Sequence, residues 1–369
     1  MKKSVLFLAT AALFAACTND SVRENIADDQ VEIGFSTYIQ KPVASKADNS
    51  TAETLKNLEA YHQNFVVNGF KTVATTETQV FANQLVTYAD SKWGYSPVSY
   101  WDKSASKYSF YAAAPQTATW TFANDATKGK YYTISNFTVT GTSLALATRE
   151  TPDAAAVFGT EDLMIATDID NHTAFTTEAV NFTFNHILSR FNIAISTSIS
   201  EGTVTLKSLT VNGMNNKGSF DESLAAASTA GSTARWNNLA VDGTYAITAV
   251  KDASNNDVVV NANKQFVYQG LVIPQTAAYE SINLDGTSGE TAPYLNIQYT
   301  IKTGESNEQS YSYYYNLAGL FGATAETPLA FNEGWQNNLY ITIGAAAINF
   351  DAQVYEWATQ TPGGNLEVQ

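Results

Sequence analysis

The side chains of this sequence with the most obvious capacity for chemistry are its three histidines. His62, His172 and His186 stand in three separate segments of the 369-residue chain. Metal sites bring histidines together with cysteines or carboxylates at short, regular spacings, and none of the three has such neighbours. The sequence therefore predicts no metal site and no catalytic histidine.

A second candidate is the acidic group Asp162, Asp168 and Asp170, which could form a carboxylate cluster. Its setting favours a solvated loop that precedes a strand near residue 179. The chain also has no G-x-S-x-G elbow, phosphate loop or G-x-G-x-x-G fingerprint. We therefore expect no catalytic residue and no bound cofactor, and we expect that the protein is not an enzyme.

The single cysteine is placed for a different chemistry, the acylation of its thiol. Lys2 and Lys3 precede an apolar run, residues 5–16, which ends in small residues directly before Cys17. A positive start, a short apolar run and a small-residue cleavage site define a signal peptide, and about a dozen apolar residues are too few to span a bilayer. We expect cleavage between Ala16 and Cys17 and a lipid on Cys17. The alternative is an ordinary core cysteine.

Composition limits the remaining functions. The chain has 20 Lys and Arg against 35 Asp and Glu, a net charge of −15 that repels phosphate backbones, so we expect no nucleic-acid partner. Roughly 350 residues follow the signal peptide, which suggests two domains. One cysteine allows no disulfide within the chain, and the 44% apolar content is sufficient for two hydrophobic cores.

Alternating apolar residues predict an all-β fold. The clearest examples are Val31, Ile33, Phe35, Thr37 and Ile39; Leu295, Ile297, Tyr299 and Ile301; and Leu339, Ile341 and Ile343. Alternation with period two buries one face of a strand and leaves the other in water. Asn-Gly and Asp-Gly pairs between such runs indicate turns. One short helix is expected over residues 51–62, where a capping box precedes apolar residues at helical spacing.

Two further features have alternative interpretations. The alternation changes phase between Val180, Phe182, Phe184 and the later run Phe191, Ile193, Ile195, which predicts a bulge or a crossover between two strands and a domain boundary near residue 175. Aromatic residues crowd residues 93–111, and a sugar-binding platform there would need exposed rings. Because Tyr108, Phe110 and Ala112 alternate like one buried face, with Ser109 and Tyr111 opposite, we favour a core role. Residues 311–315 share this ambiguity.

The same aromatic stretch carries a family resemblance. Residues 93–101 and 108–115 resemble the W-x-Y-x-P…Y-W…Y-S-F-Y-A-x-x-P segment of the fimbrillins of Bacteroidota. Residues 162–166 and 180–190 are similar to the D-L-M-x-A and V-x-F-x-F-x-H-x-L-S blocks of that family. Residues 271–275, 335–340 and 348–357 resemble its remaining blocks. The resemblance therefore extends in order from Cys17 to Trp357.

The resemblance implies an all-β chain with two transthyretin-like β-sandwich domains in tandem. It implies a structural subunit of a surface pilus, as stalk, anchor or tip, located at the outer membrane and cell surface. The corresponding divisions are a signal peptide at 1–16, a propeptide with the first strand at 17–46, an N-terminal sandwich at 47–175 and a C-terminal sandwich at 176–369. The implied partners are other fimbrillin subunits and, before processing, the membrane that holds the lipid of Cys17.

The family's mode of assembly implies roles for particular residues. A protease cuts after a basic residue, the first strand is lost, and another subunit's C-terminal segment fills the groove by β-strand addition. The strand to be lost is Val31 to Ile39 and the cut lies between Lys46 and Ala47, where relatives more often have arginine. Arg23 is a rival site that would leave the strand attached. The candidate donor residues are Ile348, Phe350, Val354, Leu366 and Val368.

A second hypothesis stays open beside the polymerising subunit. The chain could be a resident surface lipoprotein that keeps its first strand and binds a glycan or host ligand through exposed aromatic rings. This hypothesis predicts that ligand binding depends on Trp93 or Trp101. In that case the surface form would still begin at Cys17.

Overall fold

The structure is a computed structural model, and it describes residues 31–39, 58, 62–116, 119–139, 162–172, 179–224, 235–241, 251, 255–279, 292–305, 307–345 and 347–356. Nearly all of the described secondary structure is β-strand. One four-residue helix, α1 (Leu317–Leu320), is the only α-helix in these ranges. The all-β prediction is therefore confirmed. None of the helix in the described part of the chain is long and apolar enough to cross a membrane.

The first eleven strands, in chain order, are β1 (Phe35–Ile39), β2 (Asn64–Val73), β3 (Thr76–Ala89), β4 (Lys92–Gly94), β5 (Lys107–Ala114), β6 (Trp120–Asp125), β7 (Gly129–Thr138), β8 (Met164–Ala166), β9 (Ile169–His172), β10 (Val180–His186) and β11 (Ser189–Thr197). The other eleven are β12 (Thr203–Asn212), β13 (Lys217–Asp221), β14 (Trp236–Ala240), β15 (Val258–Val260), β16 (Gln265–Val272), β17 (Gln275–Ala277), β18 (Tyr294–Thr303), β19 (Asn307–Asn316), β20 (Leu329–Phe331), β21 (Trp335–Ile343) and β22 (Ile348–Glu356).

These strands form five sheets, which we name A to E. Sheet A has eight strands in the order β1-β10-β8-β5-β2-β3-β4, with β9 also paired to β5. Sheet B has the order β14-β13-β7-β6, sheet C the order β16-β11-β21-β22, and sheet D the order β15-β12-β18-β19. Sheet E consists of β17 and β20. Most pairs are antiparallel, but β1 runs parallel to β10 and β11 runs parallel to β21.

The C-terminal part of the chain has its core between sheets C and D. Alternate residues of β11 and β21 in sheet C meet alternate residues of β12 and β18 in sheet D, including Phe191, Ile341, Leu206 and Ile297. The predicted inward residues Leu295, Ile297 and Tyr299, and Leu339, Ile341 and Ile343, are buried there, and Ile301 is half-buried against the same core. Two sheets that bury one apolar face against each other and expose the opposite face to solvent form a β-sandwich.

The N-terminal part has two cores because sheet A is covered on both faces. One face encloses an aromatic core that includes Phe65, Phe110 and Phe182. The other face packs against sheet B, where Tyr111 of sheet A lies in the same cluster as Phe220. Every residue of β5 from Tyr108 to Ala114 is therefore buried. Ser109 and Tyr111, on the face opposite Tyr108 and Phe110, are buried as well, because sheet B covers that face.

The change of phase near residue 188 is a crossover between sheets. β10 pairs with β1 and β8 in sheet A, whereas β11 begins at Ser189 and pairs with β16 and β21 in sheet C. The linker is held by its backbone, since Ile187 N–H donates to Leu163 and Gly334 N–H donates to Leu188. Sheet B combines β6 and β7 with β13 and β14, which come from either side of residue 175. The division at residue 175 and the transthyretin-like tandem stay predictions.

The predicted helix over residues 51–62 lies outside the described residues except for two positions. Leu58 is fully buried in the aromatic core, and its carbonyl accepts a hydrogen bond of 2.8 Å from His62 N–H. Of the predicted turns, Asn212-Gly213 follows β12, and Gly213 has a φ of 81°, in the region that favours glycine. The Asp242-Gly243 and Asp285-Gly286 turns lie outside the described residues.

Gly69 tests the close packing of sheet A. A Cβ at this position of β2 would lie 2.7 Å from Phe81 Cδ2 and 3.1 Å from Phe110 Cδ1, and both rings are buried. We expect Gly69→Ala to lower the free energy of unfolding by about 1–3 kcal/mol, because the core has no free volume for the methyl group. Urea denaturation measures it. Gly94→Ala, whose Cβ would meet nothing within 4 Å, is the control, and equal effects at both sites would contradict this packing.

Candidate functional site: the first-strand groove

The first-strand segment, residues 31–39, is the candidate functional element of the molecule. Its predicted inward residues alternate as expected, with fractional exposures of 0% for Ile33, 7% for Phe35, 3% for Thr37 and 5% for Ile39. Tyr38, on the opposite face, is 37% exposed. A strand with one face in the core and one in water has the pattern that the sequence predicted.

β1 lies at the end of sheet A and pairs within that sheet with β10 alone. The two strands are parallel, and the register sets Phe35 opposite Val180 and Ile39 opposite Phe184. The N–H of Val180 donates to the carbonyl of Gly34 over 2.8 Å. The five register pairs with β1 therefore supply backbone partners along one side of β10, and β8 pairs with its other side.

The start of the segment is held by a second contact. Ile33 N–H donates to the carbonyl of Ser99 over 3.0 Å, and Trp101 N–H donates to the carbonyl of Val31 over 2.9 Å. The Tyr95 hydroxyl donates to the carbonyl of Ile33 over 2.7 Å. Burial raises the pKa of Tyr95 to about 12, so the hydroxyl keeps its proton and remains a donor at neutral pH. The segment thus bridges β10 and the loop at residues 99–101.

Phe35 is the main hydrophobic contact of the segment. Its ring lies against five other aromatic rings at centroid distances of 5.4–6.3 Å, which belong to Phe65, Phe81, Tyr95, Phe110 and Phe182. Most of these pairs are edge-on or tilted, the geometries that aromatic rings prefer. Each such pair adds about 0.5–1.5 kcal/mol beyond the effect of burial.

Loss of the segment would leave a long apolar groove, which we call the first-strand groove. It is bounded by β10, the loop at residues 99–101 and the rings around Phe35. Its floor would include Phe182 and Phe184, both fully buried while the segment is in place. One side of β10 would lose its backbone partners. Unpaired backbone groups beside an apolar surface make a template for another strand.

The candidate donor residues are divided between the described and undescribed parts of the chain. Ile348, Phe350 and Val354 lie on β22, which is the edge strand of sheet C and pairs with β21 along its length. Phe350 packs edge-on against Tyr315 at 4.6 Å, and Val354 is 40% exposed. Leu366 and Val368 lie outside the described residues. The donor assignment stays a prediction.

The residues assigned to export and processing also lie outside the described residues. These are Ala16 and Cys17 at the signal cleavage site, and Lys46 and Ala47 at the expected propeptide cut, together with the rival Arg23. The described segment ends at Ile39. Lys46 is seven residues further along the chain, so a cut there would release the whole first-strand segment from the rest of the protein.

Most of the aromatic stretch at residues 93–111 lies in the core, as the alternation of its residues predicted. Trp101 is 4% exposed and stands edge-on to Tyr108 at 4.7 Å, while Trp93 stands edge-on to Phe65 at 5.0 Å. Tyr100 is an exception, at 43% exposure. The buried Trp101 has no free face for a sugar, so a glycan platform built on it is excluded.

The tyrosines of β19 are only partly covered. Tyr311 and Tyr313 lie nearly parallel, with an interplanar angle of 13°, and Tyr311 stacks on Tyr299 of β18 at 5.0 Å. Tyr313 is 40% exposed. These rings lie on the core face of sheet D at its edge, where Phe350 of β22 in sheet C packs against Tyr315. Residues 311–315 are therefore part core and part surface.

One buried polar group was missed by sequence reasoning. The interpretation of Asp162 as a solvated loop residue is wrong, because it is 2% exposed and joins two histidines. His62 Nε2 donates to the Asp162 carbonyl over 2.6 Å, and His186 Nδ1 lies 2.9 Å from Asp162 Oδ1. Asp168 and Asp170 are exposed, as predicted, but Asp170 lies on β9 rather than in a loop and accepts a hydrogen bond from the Tyr111 hydroxyl. The three partners are separated by up to 124 positions, so no local spacing could have revealed them.

This polar group fixes a wall of the groove. His62 lies two residues before β2, Asp162 lies two residues before β8, and His186 is the last residue of β10, the strand that pairs with the first-strand segment. In the described ranges, no group of three or more His, Cys, Asp or Glu residues could hold a metal ion. We call the buried contact of His62, Asp162 and His186 the clasp.

Together these features define a class of protein: an all-β chain in which an N-terminal edge strand completes an aromatic core from one side. A family model described as fimbrillin-like matches residues 51–357. The chain therefore belongs to the fimbrillin-like family.

Comparison with known proteins agrees with this assignment. The chain is 25% identical over 215 residues to the fimbrium subunit Fim1C of Phocaeicola vulgatus, a match that covers 55% of this chain and 54% of that protein. It therefore spans about half the length of this curated relative. A crystal structure of a fimbrial protein from Bacteroides vulgatus is similar with a TM-score of 0.55 and 15% identity, over 89% of this chain and 100% of that one. The second likeness concerns the fold alone.

Truncation of Phe35 tests whether the first-strand segment completes the core. We expect Phe35→Ala to lower the free energy of unfolding by about 3–5 kcal/mol, because the ring leaves a cavity among five aromatic neighbours. Denaturant unfolding followed by tryptophan fluorescence measures this effect. Tyr38→Ala on the exposed face of the same strand is the matched control, with an expected change of about 0.5 kcal/mol. Equal changes in the two variants would show that the segment is not part of the core.

The clasp at Asp162 predicts a dependence of stability on pH. Burial lowers the pKa of His62 below its ordinary value, while the nearby Asp162 opposes this shift and His186 adds to it. Between the two pKa values of His62 the unfolded chain binds more protons at this residue than the folded chain does, so the contribution of His62 to stability falls as pH drops below about 6.5. Denaturation midpoints at pH 7.5 and pH 5 measure the loss, which should be smaller in His62→Gln. An unchanged loss in that variant would exclude His62 as its source.

Proposed function

We propose that this protein is a structural subunit of a bacterial surface pilus that polymerises by exchange of its first strand. The observation that carries the proposal is the one-sided attachment of residues 31–39. The segment fills the centre of an aromatic core, yet in sheet A only β10 pairs with it. Membership of the fimbrillin-like family and the similarity to a fimbrium subunit support the same role. The role is structural and needs no catalytic group or cofactor.

The proposed pathway begins with export. The signal peptide is removed between Ala16 and Cys17, and a lipid on Cys17 carries the precursor to the outer membrane. While residues 31–39 are attached, the groove is filled by a segment of its own chain. Covalent attachment gives the segment a local concentration in the millimolar range, which a donor from another subunit cannot match. The precursor is therefore stable as a monomer.

Proteolysis changes this competition. A cut between Lys46 and Ala47 turns the first-strand segment into a separate peptide that can leave, and Cys17 with its lipid leaves with it. The C-terminal segment of another subunit, drawn from the candidates Ile348, Phe350, Val354, Leu366 and Val368, then pairs with β10. Each subunit accepts a strand at one site and donates at another, and a head-to-tail contact of this kind builds a filament. The product is a fimbrium on the cell surface.

Limited digestion tests the pathway. We expect a trypsin-like protease to release residues up to Lys46 from the folded full-length protein, followed by a ladder of oligomers on mild-detergent gels. N-terminal sequencing identifies the cut. Lys46→Gln should abolish both the release and the ladder. Lys41→Gln is the matched control and should abolish neither. Lys41 is followed by Pro42, and trypsin-like enzymes cleave the bond before a proline poorly, so the cut does not depend on Lys41.

Two results would contradict the proposal. The first is a protein that is cut at Lys46, loses residues 31–39 and remains a folded monomer. The second is a surface form that still begins at Cys17, which is expected of a resident lipoprotein that binds a glycan or host ligand. Because Trp101 is buried, such a ligand would have to use more exposed rings such as Tyr100 or Tyr313.

A further inference from the structure

Two strands at opposite ends of the described chain carry the same pattern of side chains. β1 with the two residues before it reads Ile33-Gly34-Phe35-Ser36-Thr37-Tyr38-Ile39, and the first seven residues of β22 read Ile348-Asn349-Phe350-Asp351-Ala352-Gln353-Val354. Both have an aliphatic residue, a phenylalanine, a small residue and an aliphatic residue at alternate positions. We call these four positions the anchors. The shared pattern permits a direct comparison of β22 with the shape of the first-strand groove.

The second anchor is the most demanding. At Phe35 the groove surrounds the side chain with five aromatic rings, and a smaller residue there would leave a cavity. Phe350 supplies an identical side chain at the matching place. The first anchor is isoleucine in both strands, and at the fourth, Val354 is smaller than Ile39 by one methylene group. Two of the four anchors are therefore identical to those of the segment that leaves, and the fourth differs by one methylene group.

The third anchor favours β22 over the original segment. Thr37 is 3% exposed, and its hydroxyl oxygen is buried with no hydrogen-bond partner among the described residues. A buried hydroxyl without a partner loses its hydrogen bonds to water and gains none in return. Ala352 stands at this position in β22 and has no hydroxyl group. A strand with alanine here should bind the groove more tightly than one with threonine.

The outward positions also admit β22. A Cβ at Gly34 would meet only Ala179, at 3.8 Å, which is an ordinary van der Waals distance, so Asn349 can occupy this position. Ser36 donates a hydrogen bond to the side-chain carbonyl of Asn181 on β10. Asp351 would stand there instead, where its carboxylate can accept from the amide group of Asn181. No outward residue of β22 is therefore excluded by the described surroundings.

In its own sheet β22 is only partly buried. It lies at the edge of sheet C and pairs there with β21 alone. Ile348, Phe350 and Ala352 contact the core from half-buried positions, and Val354 is 40% exposed. The corresponding anchors of the first-strand segment are at most 7% exposed. Transfer of β22 into the groove would thus increase the burial of all four anchors.

We propose that the first-strand groove selects its donor by these four anchors, and that the donor is Ile348–Val354 of a second copy of this chain. The inference rests on the strand-exchange function proposed above and specifies its partner. The phenylalanine at the second anchor determines affinity. The alanine at the third anchor makes the incoming strand a better occupant than the peptide it replaces. The subunit is therefore able to form a polymer of its own copies.

Binding of labelled peptides to protein cut at Lys46 tests the proposal. The measurement is fluorescence anisotropy, at protein concentrations too low for subunits to associate. We expect peptide 347–355 to bind and its Phe350→Ala form to bind at least tenfold more weakly. The peptide of residues 31–39 should also bind, and its Thr37→Ala form should bind several-fold more tightly. Peptide 361–369, which contains Leu366 and Val368, should bind weakly.

The outcomes separate this proposal from the one it rests on. If peptide 31–39 rebinds but peptide 347–355 does not, or peptide 361–369 binds better, the donor assignment is wrong and strand exchange stands. If the Thr37→Ala peptide binds no more tightly than the original, the role of the third anchor is wrong. If peptide 31–39 itself fails to rebind, strand exchange at this groove is wrong as well.

A substitution in the full-length chain provides an independent test. Ala352→Leu enlarges a side chain that is half-buried at the edge of sheet C, but it would place a larger group at the tightly enclosed third anchor of the groove. We expect this variant to fold, to be cut at Lys46 and to give at least tenfold fewer oligomers. Gln353→Leu, at the neighbouring outward position, should polymerise like the wild type. Normal polymerisation of Ala352→Leu would overturn the assignment of β22.

Discussion

The fit of Phe35 among five aromatic rings is the contact on which the N-terminal part of the molecule depends. It lies on a short strand that reaches the core from one side, so the hydrophobic contact and the backbone pairing with β10 must act together. Burial of one phenylalanine contributes about 1.5–3 kcal/mol, and the favourable ring contacts add to it. Stability of this size is large beside the 5–15 kcal/mol of a typical domain. A strand of this kind fills the core although it pairs with only one other strand of its sheet.

The rest of sheet A differs from its first strand. β2 and β5 lie in the middle of the sheet, and β5 is buried on both faces by the aromatic core and by sheet B. Such strands cannot leave without unfolding the protein. The rigid wall of β10 is fixed further by the clasp of His62, Asp162 and His186 and by the hydrogen bond from Trp236 Nε1 to the carbonyl of Ile187. A preformed wall lowers the entropy cost of accepting a new strand.

Buried polar contacts between distant segments connect the two parts of the chain. Arg235, before β14, forms an ion pair with Glu333, before β21, and the arginine also lies 5.0 Å from the ring of Phe220. Burial raises the pKa of Glu333, while the adjacent guanidinium opposes that shift. These contacts place sheet B, which covers sheet A, beside the crossover from β10 to β11. The sandwich that carries β22 is in this way attached to the sheet that carries the groove.

Much of the fold could be read from local patterns. Period-two alternation identified the first-strand segment, β18 and β21 with their correct inward residues, because burial of one face imposes that period whatever the partner. The break in phase near residue 188 indicated a bulge or a crossover for the same reason, and the strand pairing identified the crossover. Family motifs, which are also local, identified the class of protein and the first strand as the element of interest.

Only the tertiary structure showed what each strand faces. Alternation at β5 identified one buried face, and sheet B, formed partly from strands about a hundred residues later, covers the other. Asp162 looked like a loop residue because its partners, His62 and His186, are distant in the chain. The unpartnered hydroxyl of Thr37 and the half-buried anchors of β22 likewise depend on neighbours that no local spacing reveals. The sequence by itself determined which residues alternate, whereas long-range packing decided which of those faces are enclosed and by which neighbours.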